Sequence, residues 1–352
     1  FSFFDRTFST MMRGIPFLFL ATFQSTHSSA YGFGSRRLGA AQATSAPRNR
    51  LSNRAMTAQI ISNEDSSAQS TANNNRNNNN KVATVDAYPL GTDTSLLSKY
   101  SKVKTIYYIR HAEGSHNVNK NYRHVKNLDA RLTEKGLGQC QTLAERIRVA
   151  QDPIAAQLKE SVQLIITSPL TRCMQTALLS LEPVVQARPD TRVVAHEGVR
   201  ETVNYNCDRR RPISQLKSEF QQVDFSHVTQ DHDGVWSHYE SWLGPDTDYT
   251  THRESAQIYK VAERGRSFLW DYLVQCSEEH VAICSHRAFS RAFFNFGHGE
   301  ATNCTTLPQS LDDRDNPVNI PVVQYMGDKK FEESLRADYD NCELRSMILA
   351  FP

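Results

Sequence analysis

Apolar residues along this chain gather into short continuous runs, separated by helix-length stretches whose apolar positions recur on one side. Residues 104–109 form a β-branched and aromatic run that ends at Arg110-His111. Residues 162–166, 191–195 and 280–284 repeat the pattern, each wholly apolar or nearly so. Between them, 133–147 reads as a helix with Thr133 as N-cap and with Leu137, Leu143, Ala144 and Ile147 along one face. Further helices are expected over 171–181, over 251–275 as one long amphipathic element, and from Arg287 onward. Strands that are apolar throughout, rather than alternating, belong to a sheet covered on both faces. The pattern therefore predicts an α/β fold, a three-layer α/β/α arrangement around a mostly parallel central sheet. Residues 344–351 predict an edge strand, and 202–250, with only a broken pattern, an insertion near the site.

The first hundred residues have another character. From Arg6 to Asn63 there are seven Arg and no Asp or Glu. Met11, Met12 and Arg13 precede an apolar run at 15–23, too short to span a bilayer but suited to a signal-peptide core. Small residues at Ser28-Ser29-Ala30 offer a cleavage site, and a Ser-, Ala- and Arg-rich stretch of transit-peptide composition follows. Residues 1–63 are thus expected to be a targeting presequence. It resembles the bipartite plastid presequences of algae, although Tyr31 stands where those usually have Phe. A plastid destination is the first expectation, with a secreted or endomembrane one as the alternative. Residues 64–100, with Asn73 to Asn80 broken only by Arg76, have too little apolar surface to offset their ordering entropy. They are expected to be a disordered linker, with the folded domain spanning 101–352.

Composition narrows the choice of function. A net charge of +2 gives no bulk attraction to nucleic acid or anionic membrane, so any taste for anions is local. Seven scattered cysteines, with no CxxC, read neither as a disulfide framework nor as a zinc site.

Four segments carry candidate chemistry, each at the end of a predicted strand, where open α/β sheets bind ligands. After the first come Arg110-His111-Ala112-Glu113-Gly114-Ser115-His116-Asn117. A histidine attacks phosphorus when its other ring nitrogen is held and cations neutralise the phosphoryl oxygens. An adjacent Arg supplies paired planar donors for such a group. After the second strand, Ser168-Pro169-Leu170-Thr171-Arg172 opens a helix, whose N-terminus favours an anion. After the third, Val199-Arg200-Glu201 offers a carboxylic acid able to protonate a leaving group. After the fourth, Ser285-His286-Arg287 adds a second histidine.

Together, and in this order, these segments resemble the histidine-phosphatase superfamily, also called the phosphoglycerate-mutase-like family, across roughly residues 104–298. Asp129 and Leu132-Thr133-Glu134-Lys135-Gly136, with Gln139, fit the same succession. The resemblance implies that His111 is the nucleophile and that Arg110, Arg172 and His286 complete the phosphate pocket. It makes Asn117 a further polar contact and Glu201 the proton donor, with Asp208 a rival for that role. No metal or organic cofactor is implied. Ala112 stands where many members have Gly; Gly114 and His116 stand where true mutases have Ser and Trp. The mutases' Tyr-Gly-x-Leu-x-Gly segment is missing. Instead, the segments from Asn206 to Ser214 and from Asn341 to Ser346 resemble the mutase-like phosphatases of plants and fungi. The expected activity is hydrolysis of a small phosphorylated metabolite through a phosphohistidine. A mutase-type phosphotransferase is the alternative, and a catalytically dead binding protein on the same fold a lesser one.

Overall fold

The computed structural model describes residues 84–243, 254, 258–299 and 320–352. The presequence expected over 1–63 and the Asn-rich tract at 73–80 lie outside these residues. Among the described residues, seven strands form one sheet. They are β1 (Val85–Tyr88), β2 (Lys102–Arg110), β3 (Leu164–Thr167), β4 (Arg192–Ala195), β5 (His280–Ser285), β6 (Val323–Tyr325) and β7 (Leu344–Phe351), in the order β4-β3-β5-β2-β7-β1-β6. The first four in that order are mutually parallel, β7 runs antiparallel to both its neighbours, and β6 lies parallel to β1.

Alternate residues of β2 explain the layering. Ile106 and Tyr108 point into a core formed with helices Ile258–Ser267 and Arg287–Asn295, through Val261, Phe289 and Phe293 among others. Tyr107 and Ile109 point the other way, against helices Glu134–Arg148 and Thr171–Ser180, through Cys140, Leu143, Cys173 and Met174. Both faces are dry, which is why the strand shows no polar alternation. The three-layer α/β/α arrangement predicted from the pattern is present.

Four expectations need correction. Folded structure begins well before residue 101: β1 lies within the segment expected to be linker, with Val85 and Ala87 fully buried, and helix Thr94–Leu97 follows it. Strand β7 is no edge, since β1 and β6 extend the sheet beyond it; the edges are β4 and β6. On helix Glu134–Arg148, Thr133 does cap the N-terminus by accepting the Gly136 N–H, but Leu137 is 39% exposed. Gly136, Cys140, Leu143, Ala144 and Ile147 form the buried face instead. The long helix expected over 251–275 is helix Ile258–Ser267, then a π-helical turn Phe268–Tyr272 and a tight turn Leu273–Gln275; its first residues, apart from Glu254, lie outside the described ones.

Candidate active site

Register places the chemistry. Arg110 pairs with Ser285 across β2 and β5, so the residues that follow, His111 and His286, leave the sheet side by side. The His111 N–H donates to the Ser285 carbonyl at 2.9 Å, and the two rings lie 5.0 Å apart, centroid to centroid. One strand further, Thr167 pairs with Cys284, and the Ser168 N–H continues the ladder to the Cys284 carbonyl. Beyond it Ala195 pairs with Thr167, and the Ser285 hydroxyl reaches the Val199 carbonyl at 2.7 Å. The four segments picked out along the sequence therefore converge on one line of strand ends.

His111 Nδ1 lies 2.7 Å from the Ala112 carbonyl oxygen. A carbonyl only accepts, so Nδ1 carries the proton and Nε2 keeps its lone pair. No protein hydrogen bond engages Nε2, and His111 lines a cavity of about 300 Å³. Burial, then the charges of Arg172 and Arg110, hold His111 well below the usual imidazole range. The ring is neutral near pH 7.

Two guanidinium groups flank it. Arg110 donates from Nη1 to the Tyr339 carbonyl at 2.6 Å, and Arg172 donates from Nη1 to the Cys207 carbonyl at 2.5 Å and from Nη2 to Asp208 at 3.2 Å. In both, Nε is buried without a protein partner. Other arginines, Arg188, Arg200, Arg264 and Arg266, share this feature, so what sets these two apart is the charge they bring to bear on His111, which favours an anion there. His286 is fully buried, with Nε2 at 2.8 Å from the Ser168 hydroxyl and Nδ1 at 4.0 Å from Glu201.

Glu201 and Asp208 both reach this cavity, but they are held differently. Oε1 of Glu201 accepts the Thr202 and Phe289 N–H groups, each at 2.9 Å, which fixes the carboxyl while Oε2 faces His286. Asp208 is engaged at both oxygens, one by Arg172 and the Cys207 thiol, the other by the Asn204 and Tyr205 N–H groups. Burial and then the Asp208 charge raise the Glu201 carboxyl above its ordinary value, although Arg172 opposes them. Asn117 lines the same cavity and accepts the Gly114 N–H at 3.0 Å. Thr202, Asn204, Tyr205, Cys207 and Asp208, at the start of the stretch expected to be an insertion, border the cavity.

A family model described as the histidine phosphatase superfamily, branch 1, matches residues 106–302, more than half of the chain. The chain belongs to this superfamily. A phosphoglycerate mutase-like protein of Arabidopsis thaliana is 28% identical over 278 residues, covering 70% of this chain and 85% of the relative. A probable phosphoglycerate mutase of Saccharomyces cerevisiae is 29% identical over 176 residues, 45% of this chain and 55% of that protein. Among solved structures, the ecdysone phosphate phosphatase from Bombix mori aligns over 69% of this chain and 88% of its own, at 15% identity and a TM-score of 0.33.

Arg110, His111, Asn117, Glu201 and Asp208 all line the cavity, and Arg172 and His286 are buried behind it. The cavity lining also holds residues that the sequence did not mark as site residues, among them Arg287, Arg291 and three rings, His116, Tyr122 and Tyr205. These rings run on from the nucleophile, with His116 centred 5.6 Å from His111, Tyr122 6.0 Å from His116, and Tyr205 stacked on Tyr122 at 5.7 Å. Tyr122 and Tyr205 carry no local sequence signal. His116 carried one, its pairing with Gly114.

Proposed function

We propose that the chain is a phosphomonoesterase that hydrolyses a small phosphorylated metabolite through a phosphohistidine on His111. The observation that carries this reading is the hydrogen bond from His111 Nδ1 to the Ala112 carbonyl, which leaves Nε2 as a nucleophile within the cavity. The unpaired Nε groups of Arg110 and Arg172 would receive phosphoryl oxygens, and their charge would stabilise the transition state. In the first step an Nε2–P bond forms as the ester P–O bond breaks, and Glu201 gives its proton to the departing oxygen. In the second, water attacks the phosphohistidine, Glu201 takes the water's proton, and inorganic phosphate leaves. Glu201 suits this role better than Asp208, because Oε2 has no backbone or guanidinium donor holding it while both Asp208 oxygens are held. The guanidinium groups of Arg110 and Arg172 supply the positive charge, so this reading calls for no metal.

Rapid quench with labelled phosphomonoesters should trap an acid-labile phosphoenzyme in the wild type and none in His111→Ala. Free phosphate release is measured beside isomer exchange on phosphoglycerates. Exchange outrunning release would establish the mutase alternative, and turnover by His111→Ala would overturn the covalent route.

A further inference from the structure

His116 is a histidine of this cavity to which no role has been given. It begins the second turn-like step after His111, within the short helix Ser115–Asn119, and is 5% exposed. Its ring adjoins those of His111, at 5.6 Å, and of Tyr122, at 6.0 Å, centroid to centroid. Nδ1 is buried with no hydrogen-bond partner among the described residues. A buried ring nitrogen left unpaired is costly unless something else satisfies it. The chain also makes room for this ring. A Cβ placed on Gly114 would come within 2.8 Å of its Cε1 and Nδ1, so a side chain there would displace it. Gly114 and His116 thus form a matched pair: the glycine is small because the imidazole occupies the space.

We infer that His116 is a substrate-binding residue, donating a hydrogen bond to an oxygen of the phosphoryl group held beside His111. The inference rests on the phosphatase reading for the identity of the ligand. The guanidiniums of Arg110 and Arg172 act on the ring, the rings of His111 and Tyr122 flank it, and the cavity it lines also holds the carboxyls of Glu201 and Asp208 and the guanidiniums of Arg287 and Arg291. Burial first, then Arg172 and Arg110, keep His116 well below the ordinary imidazole value, so the empty site holds it neutral. A phosphate dianion offsets the repulsion from the two guanidiniums, and the ring then gains a second donor by taking up a proton as the ligand enters.

Affinity for inorganic phosphate, read by titration calorimetry at pH 7.5 on the full chain, tests this. His116→Phe keeps a ring that fills the space but removes both nitrogens; His116→Gln keeps a donor but packs less well. A contact to phosphate predicts that Phe weakens binding about ten- to a hundredfold while Gln stays within a few-fold of wild type. Mere packing predicts the opposite order, and that order would overturn the inference. Should His116→Phe fail to fold, His116→Ala takes its place under the same criterion. Wild type should also take up more proton per phosphate bound than His116→Gln, seen by repeating the titration in buffers of different ionisation enthalpy. Hydrolysis assayed in parallel separates the two readings. A wild type that binds phosphate but hydrolyses nothing overturns the phosphatase reading alone, whereas equal affinity in wild type and His116→Phe overturns the role of His116 alone.

Discussion

At His111 the proposed reaction needs an unprotonated ring, and at Glu201 it needs a protonated carboxyl. Ordinary values of about 6.5 for histidine and about 4.3 for glutamate give the reverse pairing between those pH values. Here burial with Arg172 and Arg110 lowers the one, while burial with Asp208 raises the other. Both shifts widen the range in which a neutral nucleophile faces a protonated acid. In the free enzyme, which kcat/KM reports, activity should therefore fall on the acid side as His111 gains its proton, below the ordinary histidine value. It should fall on the alkaline side as Glu201 loses its own, above the ordinary glutamate value. Glu201→Gln should erase the alkaline limb, and a limb that persists belongs to another group. The same variant should slow an alkyl phosphate by about a hundred- to ten-thousandfold but largely spare nitrophenyl phosphate, whose leaving group departs without a proton. Asp208→Asn should show no such leaving-group dependence. If it alone does, the acid is Asp208. His111 was legible in the sequence because it follows β2 at once, so its place is fixed by the strand's end; Glu201, beyond the turn Glu197–Val199, is placed less directly. His116 was legible only as a departure, with Gly114, from the mutase pattern, because the space that its ring takes beside Gly114 shows only in the structure.

Arg172 is placed behind the cavity only if the helix that carries it starts where it does, and that start is set from outside the helix. Leu170, at the N-cap position of helix Thr171–Ser180, supplies no capping side chain. Asp129 supplies one from a distant loop: Oδ1 accepts the Thr171 N–H at 2.8 Å, and Oδ2 accepts the Thr171 hydroxyl at 2.5 Å and Arg211 Nε at 2.8 Å. Asp129 holds φ at +46°, a conformation Asp tolerates better than most residues. Asp129→Ala should cost about 0.5–2 kcal/mol, as loss of a cap does. It should also weaken phosphate binding, since the first turn and Arg172 with it lose their anchor. Asp129→Asn keeps an acceptor for the Thr171 N–H and should sit between. Urea midpoints and phosphate affinities measured together decide it; an alanine variant indistinguishable from wild type in both would show that the helix start is held by its packing alone. The central strands were readable as elements because burial on both faces leaves continuous apolar runs. The π-helical turn at Phe268–Tyr272 was not, because its residues continue the helical pattern while Tyr272 turns aside to pack on His196 and His227.

Across the whole sheet, the strands that escaped the sequence reading are β1 and β6, and β1 decides where the folded protein begins. β1 has four residues and β6 three, each interrupted by a polar residue, Asp86 in one and Gln324 in the other. Yet β1 joins β7 to β6: it pairs with β7 from Asp86↔Ala350 to Tyr88↔Ile348, and β6 has no other strand partner among the described residues. A chain begun at Ser101 would contain every residue of the proposed reaction and still lack this strand. It would lose the burial of Val85, Ala87 and Tyr88, with about 1.5–3 kcal/mol expected for a valine alone. It would also strand β6 and expose the backbone of β7, whose Met347, Leu349, Ala350 and Phe351 are buried, as an open edge of the kind that recruits other chains. The expected outcome is that a chain begun at residue 84 matches the full chain in thermal midpoint and stays monodisperse, whereas one begun at 101 melts several degrees lower and aggregates. Scattering and thermal unfolding on the three lengths make the comparison. If the chain begun at 101 is as stable and as soluble as the others, β1 is dispensable and the fold is complete without it. If it is not, the active site, formed at the far ends of β2 to β5, depends for its persistence on a strand that touches none of its residues, because β7 links β1 to β2 and the register of β2 against β5 places the two histidines together.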